Sequence, residues 1–466
     1  MRPLSPIRAT PEQVKLSTTN RFGVDVIRGA AGTGKTSTGL LKLRSMYHLV
    51  EQQRHADADE RPIKILVLTF NRTLCGYIEA FLDQTMRERF RANVQLATFA
   101  KWAVDHIGQR RIIDGPAEKS LIESYGARLP LEPSFLCEEV DYILGRFLPA
   151  DLNIYLSVER TGRGAEPRVE QALRQQILND VIVPFISHLR KEGLWTWNDY
   201  AVAMIDTPRS LDYDIVLVDE AQDFSANQIR AIQRHIAQPL HCAAFVLDTV
   251  QRIYARGFTW RETGVSVSPA RAHKLVENHR NTREIAQFAA GILTGMNVDD
   301  DGALPNLVDV PQHGALPRVI TGLYREQVAW TINSLRQMDL TKETVSFLGF
   351  SPGYFSFLKD ALRRAGIAFE DLTRQRDWPV SETNVSLCTF HSAKGLEFDH
   401  VFILGLAKLN TGHGDPDRDD KLTTLRRLFA MGVCRAKKTV AIGYKEGEES
   451  DLVQYFMDGT FVKDEL

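Results

Sequence analysis

Cysteine is scarce in this 466-residue sequence and never paired: Cys75, Cys137, Cys242, Cys388 and Cys434 stand singly, with no CxxC and no spacing that would seat a metal. This excludes a disulfide scaffold and a zinc ribbon, and fits buried thiols in a reducing cytosol. No stretch approaches the roughly 20 consecutive apolar residues that cross a bilayer, so a helical membrane protein is excluded as well. The opening MRPLSPIRATPEQ has no apolar signal core, and the chain is expected to stay in the cytoplasm. The final KDEL, an address for the endoplasmic reticulum, is then a coincidence. An excess of one charge is missing too: 57 basic residues face 59 acidic ones, for a net charge of −2. Any contact with nucleic acid must therefore use a local stripe, not a basic whole. No solenoid period repeats. What remains, at 44% hydrophobic and 25% charged residues, is ordinary globular composition in a chain long enough for roughly two to four domains.

What is present begins with VDVIRGAAGTGKT, Val24 to Thr36. Gly29 to Thr36 fits GxxxxGK[ST], and a short apolar run ending at Ile27 leads into it as a strand leads into a phosphate loop. Gly29, Gly32 and Gly34 permit backbone angles that turn successive N–H groups, with Thr33 among them, inward around phosphate oxygens. Lys35 then places a point charge on the β/γ-phosphates, and the Thr36 hydroxyl suits Mg2+ at the start of the next helix. The other half of an ATPase site is DIVLVDEAQD, Asp214 to Asp223. Its apolar strand delivers Asp219 and Glu220 at the carboxyl end, where ligands sit in open α/β sheets. Asp219 is expected to hold Mg2+ from its second coordination shell, and Glu220 to orient and deprotonate the attacking water. The expected cofactors are ATP and Mg2+.

The rest of the chain supplies the frame. Glu51 to Pro62 reads as a solvated loop, followed by a strand (Lys64 to Phe70), a helix and a second strand (Val94 to Phe99), the βαβ rhythm of a parallel sheet. From Ala100 the pattern turns helical, with Leu173, Ile177, Val181, Ile182, Phe185 and Leu189 at three- and four-residue spacing. Strands resume at Tyr213 to Val218, His241 to Leu247 and Lys274 to Glu277, and the Gly/Pro/Asp-rich stretch Asn297 to Pro317 reads as a linker to a second α/β unit. The expected organisation is a first lobe from residues 1–99 and 211–296, a helical subdomain inserted at 100–210, and a second lobe from 297–466. The loop GHGDPDRDDK, Gly412 to Lys421, lacks the Gly and Glu that a calcium loop requires and reads as solvated.

VDEAQD and the strings that follow it resemble, in order and spacing, the signature motifs of UvrD/Rep-like superfamily 1 DNA helicases: LDTVQRIY (Leu247 to Tyr254), ENHRN (Glu277 to Asn281), TFHSAKGLEF (Thr389 to Phe398) and LRRLFAMGVCRAK (Leu425 to Lys437). TPEQ (Thr10 to Gln13), TFNRTL (Thr69 to Leu74) and TFAKWA (Thr98 to Ala103) extend the resemblance over nearly the whole chain. It implies an α/β fold of two RecA-like parallel-sheet P-loop NTPase lobes, ATP in the cleft between them, single-stranded or tailed DNA across the top, and movement 3′ to 5′. Gln13 would read adenine, Gln251 would sense the γ-phosphate, and Glu397 would hold the ribose or the closing lobe. By the same resemblance Arg280 and Arg435 point at the γ-phosphate, where such an arginine is worth roughly 10³ to 10⁵ in rate. With Arg435 in the second lobe, hydrolysis would require the lobes to close. Phe70, Thr98, Phe99 and His391 fall where the family touches DNA, offering aromatic faces to bases and polar groups to phosphates. Phe70 and Phe99 also end apolar strands, where a core role competes.

The sequence departs from the family in three places. The aromatic residue that usually follows IY is displaced in IYARGFTW, which leaves Trp260, with Phe258 second, as the expected base-stacking residue. Cys434 stands where Thr is usual beside Arg435. The interval from Arg280 to Thr389 has room for the second core and little else, so the accessory helical subdomain of unwinding members is expected to be missing or vestigial. The expected function is therefore an ATP-dependent DNA helicase or translocase. The alternatives are a nucleotide-dependent DNA-binding switch, or a motor subunit that works with a nuclease, repair or defence partner.

Overall fold

The computed structural model describes residues 9–19, 21–29, 33–69, 75–76, 78–79, 92–160, 168–248, 258–275, 281–296, 310, 312–373, 379, 381–412 and 420–466. Helix α1 (Pro11–Thr18) precedes strand β1 (Gly23–Gly29), α2 (Lys35–Ala56), β2 (Ile63–Thr69) and β3 (Ala92–Thr98). α2 carries the stretch expected as a loop from Glu51 on to Ala56. Glu51, Gln52, Gln53 and Arg54 are good helix formers, and a polar run on the outer face of a helix gives no reason to stop it.

Helices α3 (Phe99–Ile107), α4 (Gly115–Gly126), α5 (Pro133–Arg146) and α6 (Gln171–Gln176) follow, the last passing through a π segment (Ile177–Ile182) into α7 (Val183–Glu192) and then α8 (Trp197–Ile205). The three- and four-residue spacing read from the sequence survives: Ile177, Val181, Ile182 and Phe185 are fully buried, in a core of their own with Ile122, Val140 and Ile143. Helices α3 and α8 belong elsewhere. Trp102, Ala103, Tyr200 and Met204 pack into the first lobe's core. The insertion proper is thus narrower than 100–210, because its two flanking helices turn their apolar faces to the sheet.

The first lobe resumes with β4 (Ile215–Val218), α9 (Ala226–Arg234), β5 (Cys242–Asp248) and β6 (Ala272–Leu275). All its strands are parallel, in the order β3-β2-β4-β5-β1-β6. β2 from Ile65 to Leu68 and all of β4 are continuously apolar because both their faces are covered. Ile65, Val67, Ile215 and Leu217 join one core with Leu40, Leu43 and Tyr47 of α2, while Leu66, Leu68, Val216 and Val218 join the other with Trp102. The carboxyl ends of β1 and β4 therefore reach one edge, separated only by β5. The insertion is clamped to this lobe. Asn227 of α9 donates to the carbonyls of Leu144 (2.9 Å) and Phe147 (3.0 Å), and the Arg146 guanidinium spans both carboxylate oxygens of Glu262 (3.1 and 3.2 Å).

His235, fully buried after α9, gives this lobe a pH dependence. Its Nδ1 accepts from the Leu211 N–H (3.2 Å), which leaves the proton on Nε2 to donate to the Met204 carbonyl (3.0 Å). Burial pushes the imidazole down to about 4, the Met204 bond opposing only in part. A folded value below the unfolded one, ~6.5, means that the unfolded chain takes up the proton first as pH falls. Stability is thus complete above that value and declines between it and about 4, by on the order of 3 kcal/mol. Urea unfolding across this range should show the slope in the native chain and a flatter one in His235→Gln; equal slopes would refute the assignment.

The second lobe is built on β7 (Arg318–Thr321), β8 (Val345–Gly349), β9 (Glu370–Asp371), β10 (Val385–Thr389), β11 (Phe398–Ile403), β12 (Ala436–Tyr444) and β13 (Val462–Glu465), in the order β13-β7-β12-β11-β8-β10-β9 and again parallel throughout. The KDEL stretch thus lies largely within β13, paired along β7. Helix α10 (Arg283–Leu293), expected in the first lobe, packs here. The Arg426 guanidinium donates to the carbonyls of Ile292 (2.8 Å) and Thr294 (2.6 Å) at its end and lies 3.7 Å from the centre of the Tyr455 ring. Phe288 meets Phe456 and Phe461, and Asn281 donates to the carbonyls of Cys434 and Ala436. By these contacts the boundary between lobes falls before Asn281, not after residue 296. Among the described residues, no helix is long and apolar enough to cross a membrane.

Candidate active site between the two lobes

The described end of the phosphate-loop sequence is packed tightly against α1. Gly34 adopts a left-handed φ of 72° at the start of α2, and a Cβ there would fall 2.3 Å from the Gln13 amide nitrogen. Gln13 is buried, held at its oxygen by the Thr10 N–H (3.1 Å) and donating from its nitrogen to the Thr33 carbonyl (3.0 Å). The expected base-reading residue is thus seated against the loop. Its helix is tied down at the other end, where the buried Lys42 ammonium reaches the Leu16 and Thr19 carbonyls and the Asp25 carboxylate (3.3 Å). Thr33 and Lys35 are buried in the same loop.

Across β5, the end of β4 faces this loop. The Thr36 hydroxyl donates to Asp219 Oδ2 (2.8 Å), and Asp219 Oδ1 accepts the Glu220 N–H (2.9 Å). Glu220 has a left-handed φ of 53°, an uncommon choice for a residue with a long side chain and one that marks functional turns. Its carboxylate accepts from the Gln222 amide and lies 3.5 Å from the Lys394 ammonium, which also bonds Asp223. Lys394 comes from the turn after β10 in the second lobe and is only 3% exposed. Lys394 lies within TFHSAKGLEF but is not among the site residues expected from the sequence. The signal available was its place five residues after an apolar strand end, on the same turn as His391.

Arg435, also buried, holds Met431 Sδ (3.2 Å) and the Leu396 carbonyl (3.4 Å). Glu397 pairs with Lys437 at 3.2 Å. The cleft is therefore lined by Lys35, Lys394 and Arg435 against Asp219, Glu220 and Asp223. Burial and the charge of Glu220 push Asp219 up to about 7, the Thr36 bond opposing. Glu220 moves the other way: burial would raise it, but Lys394, Lys35 and Arg435 outweigh that and hold it below the usual carboxylate range. One carboxyl of the pair is thus kept ionised, as a base must be. Thr36 and Asp219 offer oxygen donors only, the chemistry that suits Mg2+. No group of three or more His, Cys, Asp or Glu that could hold a metal occurs among the described residues, so phosphate oxygens and water would have to complete a magnesium shell.

The expected DNA-contacting residues are dispersed. Thr98 ends β3 and caps α3, accepting the Lys101 N–H (3.3 Å). Phe99 is 5% exposed and packs edge-on against Trp102 and Phe224. Phe258 is 4% exposed in the same core. Neither ring offers a face to a base: the Thr98 cap starts α3 at Phe99, whose ring packs against Trp102 and Phe224, and Phe258 is buried in the same core. Trp260 is half-buried, its ring 5.0 Å from Phe245, and His391 is exposed. Gly32, Phe70, Gln251 and Arg280 lie outside the described residues.

Comparison with known proteins places these features. A model of the UvrD-like helicase C-terminal domain matches residues 324–447. A protein of Mycoplasma pneumoniae named "Probable DNA helicase" is 25% identical over 235 residues, 48% of this chain and 42% of that protein. DNA helicase II of Haemophilus influenzae is 41% identical over 63 residues, 13% of this chain and 9% of that one. The chain thus spans less than half the length of these relatives. The crystal structure of the C-terminal domain of a possible DNA helicase from Lactobacillus plantarum WCFS1 covers 40% of this chain and 98% of its own, at 21% identity and a TM-score of 0.30. The matched domain lies in the second lobe, and the motif strings run in order through both. The chain is thus similar to UvrD-like DNA helicases, through the family model in its second lobe and over part of its length through these relatives.

Proposed function

We propose that the chain is an ATP-driven motor on single-stranded DNA, moving 3′ to 5′, with ATP bound between the lobes and hydrolysed when they close. The observation that carries this reading is the contact across the cleft, in which Lys394 of the second lobe reaches Glu220 and Asp223 beside the phosphate loop. Gln13 and Glu397 bind the nucleoside, and Gly29, Gly32, Thr33 and Gly34 shape the loop that binds its phosphates. Lys35, Arg280 and Arg435 face the charge on the γ-phosphate, with Gln251 as its sensor. Thr36 and Asp219 would hold Mg2+, which would supply charge neutralisation on the phosphates. Glu220 accepts the proton of the attacking water. On the DNA side, Thr98, Trp260 and His391 are the candidates with accessible surface, and Phe70 remains one by its place in the sequence. The turn from Thr389 to Lys394 puts exposed His391 and buried Lys394 on one short segment. A strand bound at the first can thereby act on the acid cluster at the second.

A second reading, a motor subunit that needs a nuclease, repair or defence partner to open duplex, is favoured by one observation. The described residues between Asn281 and Thr389 are taken up by α10, β7, β8, β9, β10 and the helices Tyr324–Leu335 and Ser356–Arg364, with no separate subdomain among them. The test is the ATPase rate with and without single-stranded DNA and RNA, beside strand displacement on tailed duplex. DNA should stimulate hydrolysis more than RNA, and Lys35→Ala should abolish the stimulation. Full activity in Lys35→Ala would end the motor reading. Stimulated hydrolysis without displacement would select the partner-dependent one.

A further inference from the structure

Thr69, the last residue of β2, is fully buried, and its hydroxyl has no hydrogen-bond partner among the described residues. Its place in the sheet says what the hydroxyl is for. Leu68 of β2 is registered with Val218 of β4, and the Asp219 N–H donates to the Leu68 carbonyl (2.8 Å), so the next step in register sets Thr69 beside Asp219. Alternation fixes the face. Ile65 and Val67 of β2, like Ile215 and Leu217 of β4, look toward α2, whereas Leu66, Leu68, Val216 and Val218 look the other way. Thr69 and Asp219 therefore share the α2 face, on which Asp219 meets the Thr36 hydroxyl. Adjacent strands are about 5 Å apart, too far for a direct bond at this register and the right span for one water between two oxygens.

We propose that the Thr69 hydroxyl is a positioning group for the divalent cation that accompanies the nucleotide, holding a water of the cation's shell from the side opposite Thr36; this rests on the nucleotide-site reading above. A buried hydroxyl without a partner is a liability that valine would remove at the same volume. Ser346, equally buried and without a partner among the described residues, sits in mid-strand β8 of the second lobe in register with Ser386 and Val401, and serves as the control.

The experiment uses the full chain, a fluorescent methylanthraniloyl-ADP probe and a titration of MgCl2, with melting of the nucleotide-free protein read alongside. Thr69→Val should raise the half-saturating Mg2+ for nucleotide binding about tenfold, the lower end of what lost outer partners cost a metal site. Its melting temperature without nucleotide should be no lower than native. Thr69→Ser, which keeps the hydroxyl, and Ser346→Ala should stay near the native Mg2+ requirement. Should Thr69→Val not fold, Thr69→Ala carries the same comparison with Thr69→Ser. A native Mg2+ requirement in the hydroxyl-less variant, or an equal shift in Thr69→Ser, overturns the proposal and leaves the nucleotide site standing. Absence of any Mg2+-dependent nucleotide binding in the native chain overturns both.

Discussion

Glu220→Gln is expected to lower DNA-stimulated ATP turnover by about 10² to 10⁴ while nucleotide binding persists, since general-base removal falls in that range. The substitution keeps shape and removes the charge. Gln at this position can still take the left-handed backbone, and Asp219 keeps both its bonds, to the Thr36 hydroxyl and to the residue-220 N–H. What is lost is the Glu220 carboxylate, which the surrounding cations hold below the usual carboxylate range. Steady-state ATPase assays and equilibrium binding of a fluorescent nucleotide separate the two effects. A variant that retains a tenth of native turnover would remove Glu220 from the role of base.

Lys394→Met should act on both stability and the pH profile. Glu220 and Asp223 are almost wholly buried, and stripping a buried pair of its cation typically costs about 3 to 5 kcal/mol. The catalytic consequence has a definite sign. Burial favours the protonated form of Glu220, and Lys394 is the foremost of the charges that oppose it. Without that charge the carboxylate takes up its proton at higher pH, so the acid limb of the kcat profile moves upward and activity is lost sooner as pH falls. Chemical unfolding together with kcat measured between pH 5 and 9 would reveal both changes. An unmoved acid limb would show that Lys394 serves packing alone.

The parts of this site legible in the sequence are those whose chemistry demands a local pattern. A phosphate loop needs its glycines, lysine and threonine in one run, and the acid pair must end an apolar strand, so Lys35, Thr36, Asp219 and Glu220 could be picked out without coordinates. Lys394 could not be, because its significance lies in reaching residues more than a hundred positions away, across the cleft. Phe99 is expected as a DNA contact by its place in the family's motif, while its position at the end of an apolar strand argues for the core. The Thr98 cap starts a helix at that point and sends the ring inward. The affiliation of α10 was hidden for a related reason. Composition marks where a chain is polar, as at Asn297 to Pro317, whereas Arg426 and the phenylalanines around Phe288 decide which body a helix joins.

That last contact bears on how the protein can be dissected. A recombinant fragment begun at the polar stretch near residue 312 would leave out α10, strip the Arg426 guanidinium of its two carbonyl acceptors, and lay bare the faces of Phe456 and Phe461 that Phe288 covers. Such a piece would be prone to clump for reasons unrelated to its chemistry. Cutting upstream of Asn281 instead keeps the helix with the body that needs it.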